Sequence, residues 1–219
     1  MTTAAAIVAG LRAQRNPANV EGQRRFGITP KTEQFGLGLP ILRGIARANR
    51  RNHALALELW ATAVYDARLI AAFADDPKQV TRGQMEAWAL DFDSWAVVDG
   101  ACCTLFNRTP FAEEKAYAWS KRRPEFTKRA GFVLMAGMAV HRKELPDATF
   151  LAFLPVICRE ATDERHFVKK AVNWALRQIG KRNPRLRRAA IAEAKRIKKI
   201  DSKSARWIAA DALRELTNC

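Results

Sequence analysis

Apolar residues recur at intervals of three and four along most of the chain, whereas alternation at every second position is rare. Leu55 and Leu59 follow this spacing, as do Phe132, Met135 and Met138, and it places apolar side chains on one face of an α-helix. Prolines fall where helices are expected to begin or to have just ended. We therefore expect an all-α protein. The prolines are Pro77, Pro110, Pro124, Pro146 and Pro184.

Several helix starts carry capping signals. Thr81 followed by Gln84 has the spacing of a capping box, in which each side chain bonds to the backbone of the other. Asp147, Asp163 and Ser202 precede apolar periodic segments, and such residues are favoured at the N-cap.

A weak internal repeat runs through the chain. Residues 66–70, 128–132, 169–172 and 204–208 each place a cation ahead of small and apolar residues at a helix start. Their spacing suits helical-pair repeats of roughly 30–45 residues, which stack into a solenoid whose inner helices line a concave face. Cations at one repeat position would form a stripe matched to a phosphate backbone. We therefore predict a single solenoid domain over residues 1–219 with a concave basic face.

The net charge of the chain indicates what kind of partner it binds. The 219 residues include 38 Lys and Arg against 22 Asp and Glu, a formal net charge of +16, which indicates nucleic acid or an anionic membrane. No apolar run approaches the roughly 20 residues that span a bilayer, and residues 4–10 resemble a helix start more than a signal peptide. We expect a cytoplasmic protein that does not bind membranes.

The cysteines and histidines do not suggest a metal site. Cys102 and Cys103 are adjacent, while Cys158 and Cys219 are isolated; this is neither a disulfide framework nor zinc-ligand spacing. The three histidines are scattered, so we expect no metal and interpret the cysteines as small packing residues. The histidines are His53, His141 and His166.

Trp95 and Asp99 are four residues apart and would share one face of a helix. Aspartate is unfavourable inside a helix because its short side chain competes for backbone groups, so its presence needs an explanation. One explanation is that Asp99 is a functional carboxylate beside an indole. The alternatives are that Asp99 is partly solvated or forms a salt bridge to a neighbouring repeat, with Trp95 in the core.

A second face combines an indole with cations. Lys170, Trp174, Arg177 and Lys181 follow at steps of four, three and four residues, so they lie on one side of a helix. Residues 181–199 add further Lys and Arg with one acid, and such like charge is better tolerated where an anion neutralises it. We interpret this face as a nucleic-acid contact; the alternative is that Lys and Arg merely fill helix surfaces.

Several blocks of the sequence resemble the AlkD-like DNA alkylation repair proteins, which are HEAT-like helical-repeat solenoids. The resemblance extends from about residue 26 to residue 216 and is most specific in 167–177. The blocks are 38–40, 93–95, 128–131, 167–177, 201–203 and 206–208.

The resemblance implies a DNA glycosylase that excises alkylated purines such as 3-methyladenine and 7-methylguanine from duplex DNA without base flipping. The family's catalytic carboxylate then falls on Asp99, and the two indoles that pack on the deoxyribose fall on Trp95 and Trp174. No cofactor is implied, and we expect a monomer. The phosphate-binding residues implied are Arg129, Arg177 and Lys181, and the cationic helix face adds Lys170.

This chemistry suits the residues present. A purine alkylated at N3 or N7 is cationic and leaves as a neutral base, so no general acid is required. The sugar becomes oxocarbenium-like, and a fixed carboxylate can stabilise it and orient a water. The chain departs from its relatives at Ala96, where many carry an acid, and Phe26 is the candidate for the aromatic residue that some members place N-terminally.

Two other classes of function remain open. A non-catalytic HEAT-like solenoid that binds damaged or structured DNA would have the same basic surface and salt dependence. A scaffold for an acidic protein would show weak DNA affinity without preference for lesions. RNA binding is a further possibility, although the usual aromatic sheet signatures are lacking.

Overall fold

The computed structural model describes residues 2–218, which contain thirteen α-helices and no strand beyond one isolated parallel bridge between Glu33 and Val64. The prediction of an all-α fold is confirmed. In chain order the helices are α1 (Ala4–Ala13), α2 (Pro17–Arg25), α3 (Leu39–Ala48), α4 (His53–Ala61), α5 (Tyr65–Ala74), α6 (Arg82–Leu90), α7 (Trp95–Thr104), α8 (Ala112–Ser120), α9 (Glu125–His141), α10 (Asp147–Arg159), α11 (His166–Gly180), α12 (Pro184–Lys198) and α13 (Lys203–Thr217), with a 3₁₀ helix at Phe106–Arg108.

The helices form two compact units, one ending at Thr109 and the other beginning at Pro110. In the first unit α5 is buried on almost every side and packs against α3, α4 and α7. In the second unit α9 is buried from Thr127 to Ala139 and packs against α8 and α11. The single domain over residues 1–219 stays a prediction.

Prolines occupy the helix entrances that the sequence indicated. Pro184 is the first residue of α12, and Pro124 and Pro146 directly precede α9 and α10. A proline is tolerated there because the first turn of a helix does not use its N–H groups.

The capping predictions were partly right. The hydroxyls of Thr81 and Ser202 each accept an N–H in the first turn of the helix that follows. The capping box was wrong, because the Gln84 amide donates instead to Asp75 at 2.7 Å. Asp147 and Asp163 are not N-caps: α10 begins at Asp147 itself, and Arg165, not Asp163, is the N-cap of α11.

The repeated segments lie within the first eight residues of α5, α9, α11 and α13. The predicted cationic stripe is wrong at Arg68, which is only 5% exposed. Its guanidinium donates to the Asp91 carbonyl at 3.0 Å and lies 5.2 Å from the Trp60 ring centroid. Arg68 also forms an ion pair with the Asp91 carboxylate at 3.3 Å. Since these contacts neutralise and cover the charge, Arg68 stabilises the first unit and presents no cation to a ligand.

The cysteines in the described range form no disulfide. Cys102 is buried, and Cys103 and Cys158 are partly exposed. Burial, then a hydrogen bond with Glu193, raises the pKa of the Cys158 thiol to about 11, so it is a poor nucleophile at neutral pH. Cys219 lies outside the described residues.

Residues 2–218 contain neither a metal-binding cluster nor a membrane-spanning helix. No group of three or more His, Cys, Asp or Glu side chains in this range is arranged to hold a metal ion. None of the helices described is both long enough and apolar enough to cross a membrane.

The close packing of α8 against α9 explains why the 128–131 block contains a glycine, Gly131. A Cβ at this position of α9 would lie 2.5 Å from the Ser120 nitrogen and 2.9 Å from the Ala116 carbonyl oxygen of α8. Real Cβ atoms do not approach backbone atoms so closely, and helix backbone cannot yield as a flexible side chain can. Only glycine permits this approach of α8 to α9.

We expect Gly131→Ala to destabilise the protein by about 1–3 kcal/mol, because overpacking outweighs the gain in helix propensity. Gly10→Ala is the matched control: Gly10 lies inside α1 with no atom within 4 Å of an added Cβ, so alanine should stabilise by about 0.5–1 kcal/mol. Urea unfolding measures both. A gain in stability from both substitutions would contradict the close packing of α8 on α9.

Candidate functional site

Trp95 and Asp99 lie one turn apart on α7, as the sequence predicted. Trp95 is the first residue of the helix, and both residues are partly exposed. Val97 and Ala101 on the same helix are fully buried, and at 100° per residue they lie on the opposite, core-facing side. The indole and the carboxylate therefore share the side of α7 that faces away from the core of the first unit.

Three hydrogen bonds join Asp93 and Trp95, at the start of α7, to the N-terminal segment 26–32. The Trp95 indole N–H donates to the Phe26 carbonyl at 3.0 Å. The Asp93 carboxylate accepts the backbone N–H of Lys31 at 2.8 Å and lies 3.4 Å from the Thr32 hydroxyl. These bonds fix the direction in which the Trp95 ring projects.

The same bond places Phe26 beside Trp95. Phe26 is 75% exposed, so its ring is accessible to solvent. The two residues are 69 positions apart, so no local periodicity in the sequence could have paired them. The candidate aromatic of the N-terminal segment thus has an exposed ring, and its backbone carbonyl binds the first indole.

The second unit carries the predicted cationic face on α11. Lys170 is exposed, and Trp174 and Arg177 are partly exposed. Lys181 directly follows the last residue of the helix and is exposed. The spacing inferred from the sequence therefore does produce one solvent-accessible side of this helix.

Two of these cations are already paired with carboxylates of α13. Arg177 and Lys181 both form ion pairs with Glu215, and Arg177 Nε lies 3.6 Å from an Asp211 oxygen. A phosphate that binds either cation must therefore compete with these acids. Lys170 forms no ion pair within the described residues.

Arg129 is almost buried, at 6% exposure. Its Nη1 donates to the Phe167 carbonyl at 2.8 Å, at the start of α11. The helix pair α9 and α11 thereby fixes the guanidinium in place, with only a small part of it accessible to solvent. The sequence predicted the cation but not its burial.

Two lysines lie close to His166 at the start of α11. Burial, followed by the charges of Lys170 and Lys169, lowers the pKa of His166. His166 is therefore neutral at pH 7, and the lysines nearby are suited to attract an anion.

Lys128, the first cation of the 128–131 block, is held inside the second unit. Its Nζ lies 2.6 Å from Glu160 and 3.0 Å from Asp163, and Arg165 also contacts Asp163 at 2.6 Å. Burial raises the pKa of Asp163, but hydrogen bonds from Arg165 and Lys128 outweigh it and lower the pKa to about 2. Lys128 is thus a structural residue.

We expect Asp163→Asn to destabilise the protein at pH 7 by on the order of 1–3 kcal/mol, since two cations lose their shared acceptor. A carboxyl whose pKa is lowered by folding stabilises above its unfolded pKa, about 3.9, and this stabilisation is lost as pH falls toward 2. The difference from wild type should therefore shrink below about pH 4.

Urea unfolding between pH 7 and pH 3 measures this effect. Asp201→Asn is the control, because the Asp201 side chain is fully exposed and its ion pair with Arg206 is at the surface, where such pairs contribute little. A difference for Asp163→Asn that is the same at both ends of the pH range would contradict the assignment.

Comparisons with known proteins give the same fold and a family. The sequence matches the DNA alkylation repair enzyme family over residues 7–216. Uncharacterized protein Lin0241 of Listeria innocua is 25% identical over 193 residues, covering 87% of this chain and 84% of that protein.

A solved structure also resembles this one, with a TM-score of 0.79 at 19% identity, over 98% of this chain and 96% of that chain. It represents a new family of proteins related to the HEAT-like repeat DNA glycosylases with affinity for branched DNA structures. At this identity the likeness shows the fold, so the predicted HEAT-like helical-repeat architecture is confirmed. With the family match covering nearly every helix, the chain belongs to the DNA alkylation repair enzyme family.

Proposed function

We propose that the protein hydrolyses the N-glycosidic bond of cationic alkylated purines, such as 3-methyladenine and 7-methylguanine, in duplex DNA without flipping the base. The observation that carries the proposal is the pairing of Trp95 and Asp99 on the accessible side of α7, in a chain of the DNA alkylation repair enzyme family. A partly exposed carboxylate inside a helix, beside an oriented indole, suits a developing cation better than it suits helix stability.

The reaction follows from the charge of the lesion. The bond between C1′ and the purine nitrogen breaks, its electron pair stays with the cationic base, and the base leaves neutral. The sugar that remains is oxocarbenium-like. Asp99 stabilises this cation and orients a water, whose oxygen bonds to C1′ while a proton is released. The monomer needs no cofactor for this step.

The indoles hold the sugar in position. Trp95 has its N–H bound to the Phe26 carbonyl, so its ring is oriented before DNA binds. An aromatic face attracts a nearby cation by about 0.5–2 kcal/mol. The family resemblance assigns the second indole to Trp174 and phosphate contacts to Arg129, Arg177 and Lys181. Lys170 adds a phosphate contact from the exposed side of α11.

A second candidate function is binding of branched or damaged DNA without catalysis. The structural relative described above belongs to a family with affinity for branched DNA, and this chain has Ala96 directly after the first indole, where other relatives carry an acid. Both candidates require DNA binding, and they differ in whether Asp99 is needed for base release.

We expect wild-type protein to release free 7-methylguanine and 3-methyladenine from methylated duplex DNA, and Asp99→Asn to reduce single-turnover release by at least about 100-fold. Asparagine keeps the shape but removes the negative charge that stabilises the sugar cation. DNA affinity should change little, because Asp99 does not bind phosphate. Chromatography of released bases and a binding titration give the two readouts.

Asp201→Asn serves as the matched control and should release bases at the wild-type rate. No release by the wild type, with DNA binding intact, would favour the non-catalytic binder. Equal release by wild type and Asp99→Asn would place the chemistry elsewhere.

The ion pairs of α13 allow a test of the phosphate-binding cations. Glu215→Gln removes the carboxylate shared by Arg177 and Lys181, and should therefore strengthen binding of undamaged duplex DNA by about threefold to tenfold, at most about 1.4 kcal/mol. Arg177→Gln should weaken it. A titration at constant salt measures both.

Glu144→Gln is the control for net charge, since Glu144 also pairs with an arginine, Arg142, at an exposed position. It should leave affinity unchanged. An equal effect of the two glutamine substitutions, or none from Glu215→Gln, would argue against phosphate contacts at Arg177 and Lys181.

A further inference from the structure

The first unit contains an open cleft lined by cations that the proposed reaction does not use. It has a volume of about 510 Å³ and lies among the C-terminal ends of α3, α5 and α7. Six cations and two carboxylates, Asp75 and Asp76, contribute to its walls, which leaves a formal excess of four positive charges. The cations are Arg43, Arg47, Arg50, Arg51, Lys78 and Arg108. We call this the arginine cleft.

Acids balance only part of the positive charge of the arginine cleft. Within residues 2–218 none of the six forms an ion pair, in contrast to Lys128, Arg177 and Lys181 of the second unit. The Asp75 carboxylate is hydrogen-bonded to the side chains of His53 and Gln84, each at 2.7 Å. Asp76 accepts the backbone N–H of Lys78 at 3.1 Å, and it is one charge against six.

The backbone at Arg51 adopts a conformation that glycine favours. Its φ is 59°, in the left-handed region that helix ends usually fill with glycine or asparagine. A side chain with a Cβ is disfavoured there. The exposed side chain of Arg51 lines the cleft, and glycine could take its place without backbone strain.

The arrangement suits a row of phosphates better than a single small anion. Arg43 and Arg47 lie one turn apart on α3, about 6 Å along its axis, and Arg50 and Arg51 continue the row in the turn beyond the helix. One phosphate could meet only part of that row. Among the described residues that line the cleft, Phe73 is the only aromatic one. Its ring lies 5.5 Å from the Arg43 guanidinium, so the cleft offers little surface for stacking a base.

We propose that the arginine cleft binds the phosphate backbone of a DNA strand, as a contact separate from Trp95 and Asp99 and independent of base sequence. Thr104, at the far end of α7 from Trp95, also lines the cleft, and the helix between them is about 14 Å long. A strand running along α7 from a lesion at Trp95 reaches the cleft about four nucleotides away, at 3.4 Å per nucleotide. The distance of four nucleotides between lesion and cleft rests on the proposed function, whereas the phosphate site itself does not.

The test compares two triple variants of equal charge change in the full-length protein. Arg47→Gln, Arg50→Gln and Lys78→Gln together remove three exposed cleft cations. Lys121→Gln, Lys143→Gln and Lys195→Gln remove three exposed cations of the second unit that form no ion pair in the structure. Affinity for an undamaged duplex is titrated over a range of salt concentrations.

The cleft triple should bind the duplex more weakly, and its salt slope should be smaller by about 3, because each of the three cations neutralises one phosphate in the wild-type complex. The control triple should keep a slope close to wild type. Equal slopes for all three proteins, or an equal weakening in both triples, would overturn the proposal.

A second binding experiment, with sodium tripolyphosphate, tests whether the cleft binds a small polyphosphate instead of DNA. Loss of tripolyphosphate binding in the cleft triple, with DNA affinity and slope unchanged, would assign the cleft to a small anion and overturn the DNA assignment. Base release reports separately on the proposed function. A protein that releases no base but shows the cleft-dependent slope would support this inference alone.

Arg51→Gly supplies a variant whose effect on binding cannot be ascribed to misfolding. Glycine relieves the left-handed backbone, so the Tm should be unchanged or raised, while the salt slope should fall by about 1. An unchanged slope at an unchanged Tm would show that Arg51 does not contact DNA.

Discussion

Repulsion between like charges is the constraint that organises this protein. With 38 Lys and Arg against 22 Asp and Glu, many cations cannot find an acid of their own, so some share a carboxylate and others stay unpaired. In the second unit Asp163 and Glu215 each hold two cations, which joins α9 to the turn before α11 and α11 to α13. In the first unit the six cations of the arginine cleft form no ion pair with any described residue. The energy of that repulsion is released when an anion binds.

The same division separates structural cations from those proposed to bind DNA. Arg68 and Lys128 are buried or ion-paired within a unit, and they stabilise the fold. Lys170 and the arginine cleft face solvent. Arg177 and Lys181 lie between these extremes, since their partner Glu215 must give way before a phosphate can bind. The salt dependence of binding should therefore come mostly from Lys170 and the cleft.

Helical periodicity allowed the fold class to be predicted, because a 3.6-residue repeat of apolar positions has one common structural solution. It also predicted that Trp95 and Asp99, and separately Lys170 and Trp174, share helix faces. Burial of Arg68 and Arg129 could not be predicted, since it depends on packing between helices far apart in sequence. The pairing of Phe26 with Trp95 and the grouping of Arg43 with Arg108 have the same cause: each joins residues with no shared local period.

The claim at the centre of this account is that the carboxylate of Asp99 stabilises a cationic sugar. The most direct measurement is the affinity for two duplexes, one with a cationic pyrrolidine and one with a neutral tetrahydrofuran in place of a single deoxyribose. The account predicts that wild-type protein prefers the pyrrolidine by about tenfold or more, as expected of a mimic of the transition state, and that Asp99→Asn loses this preference. Equal affinity of the wild-type protein for the two duplexes would contradict the claim.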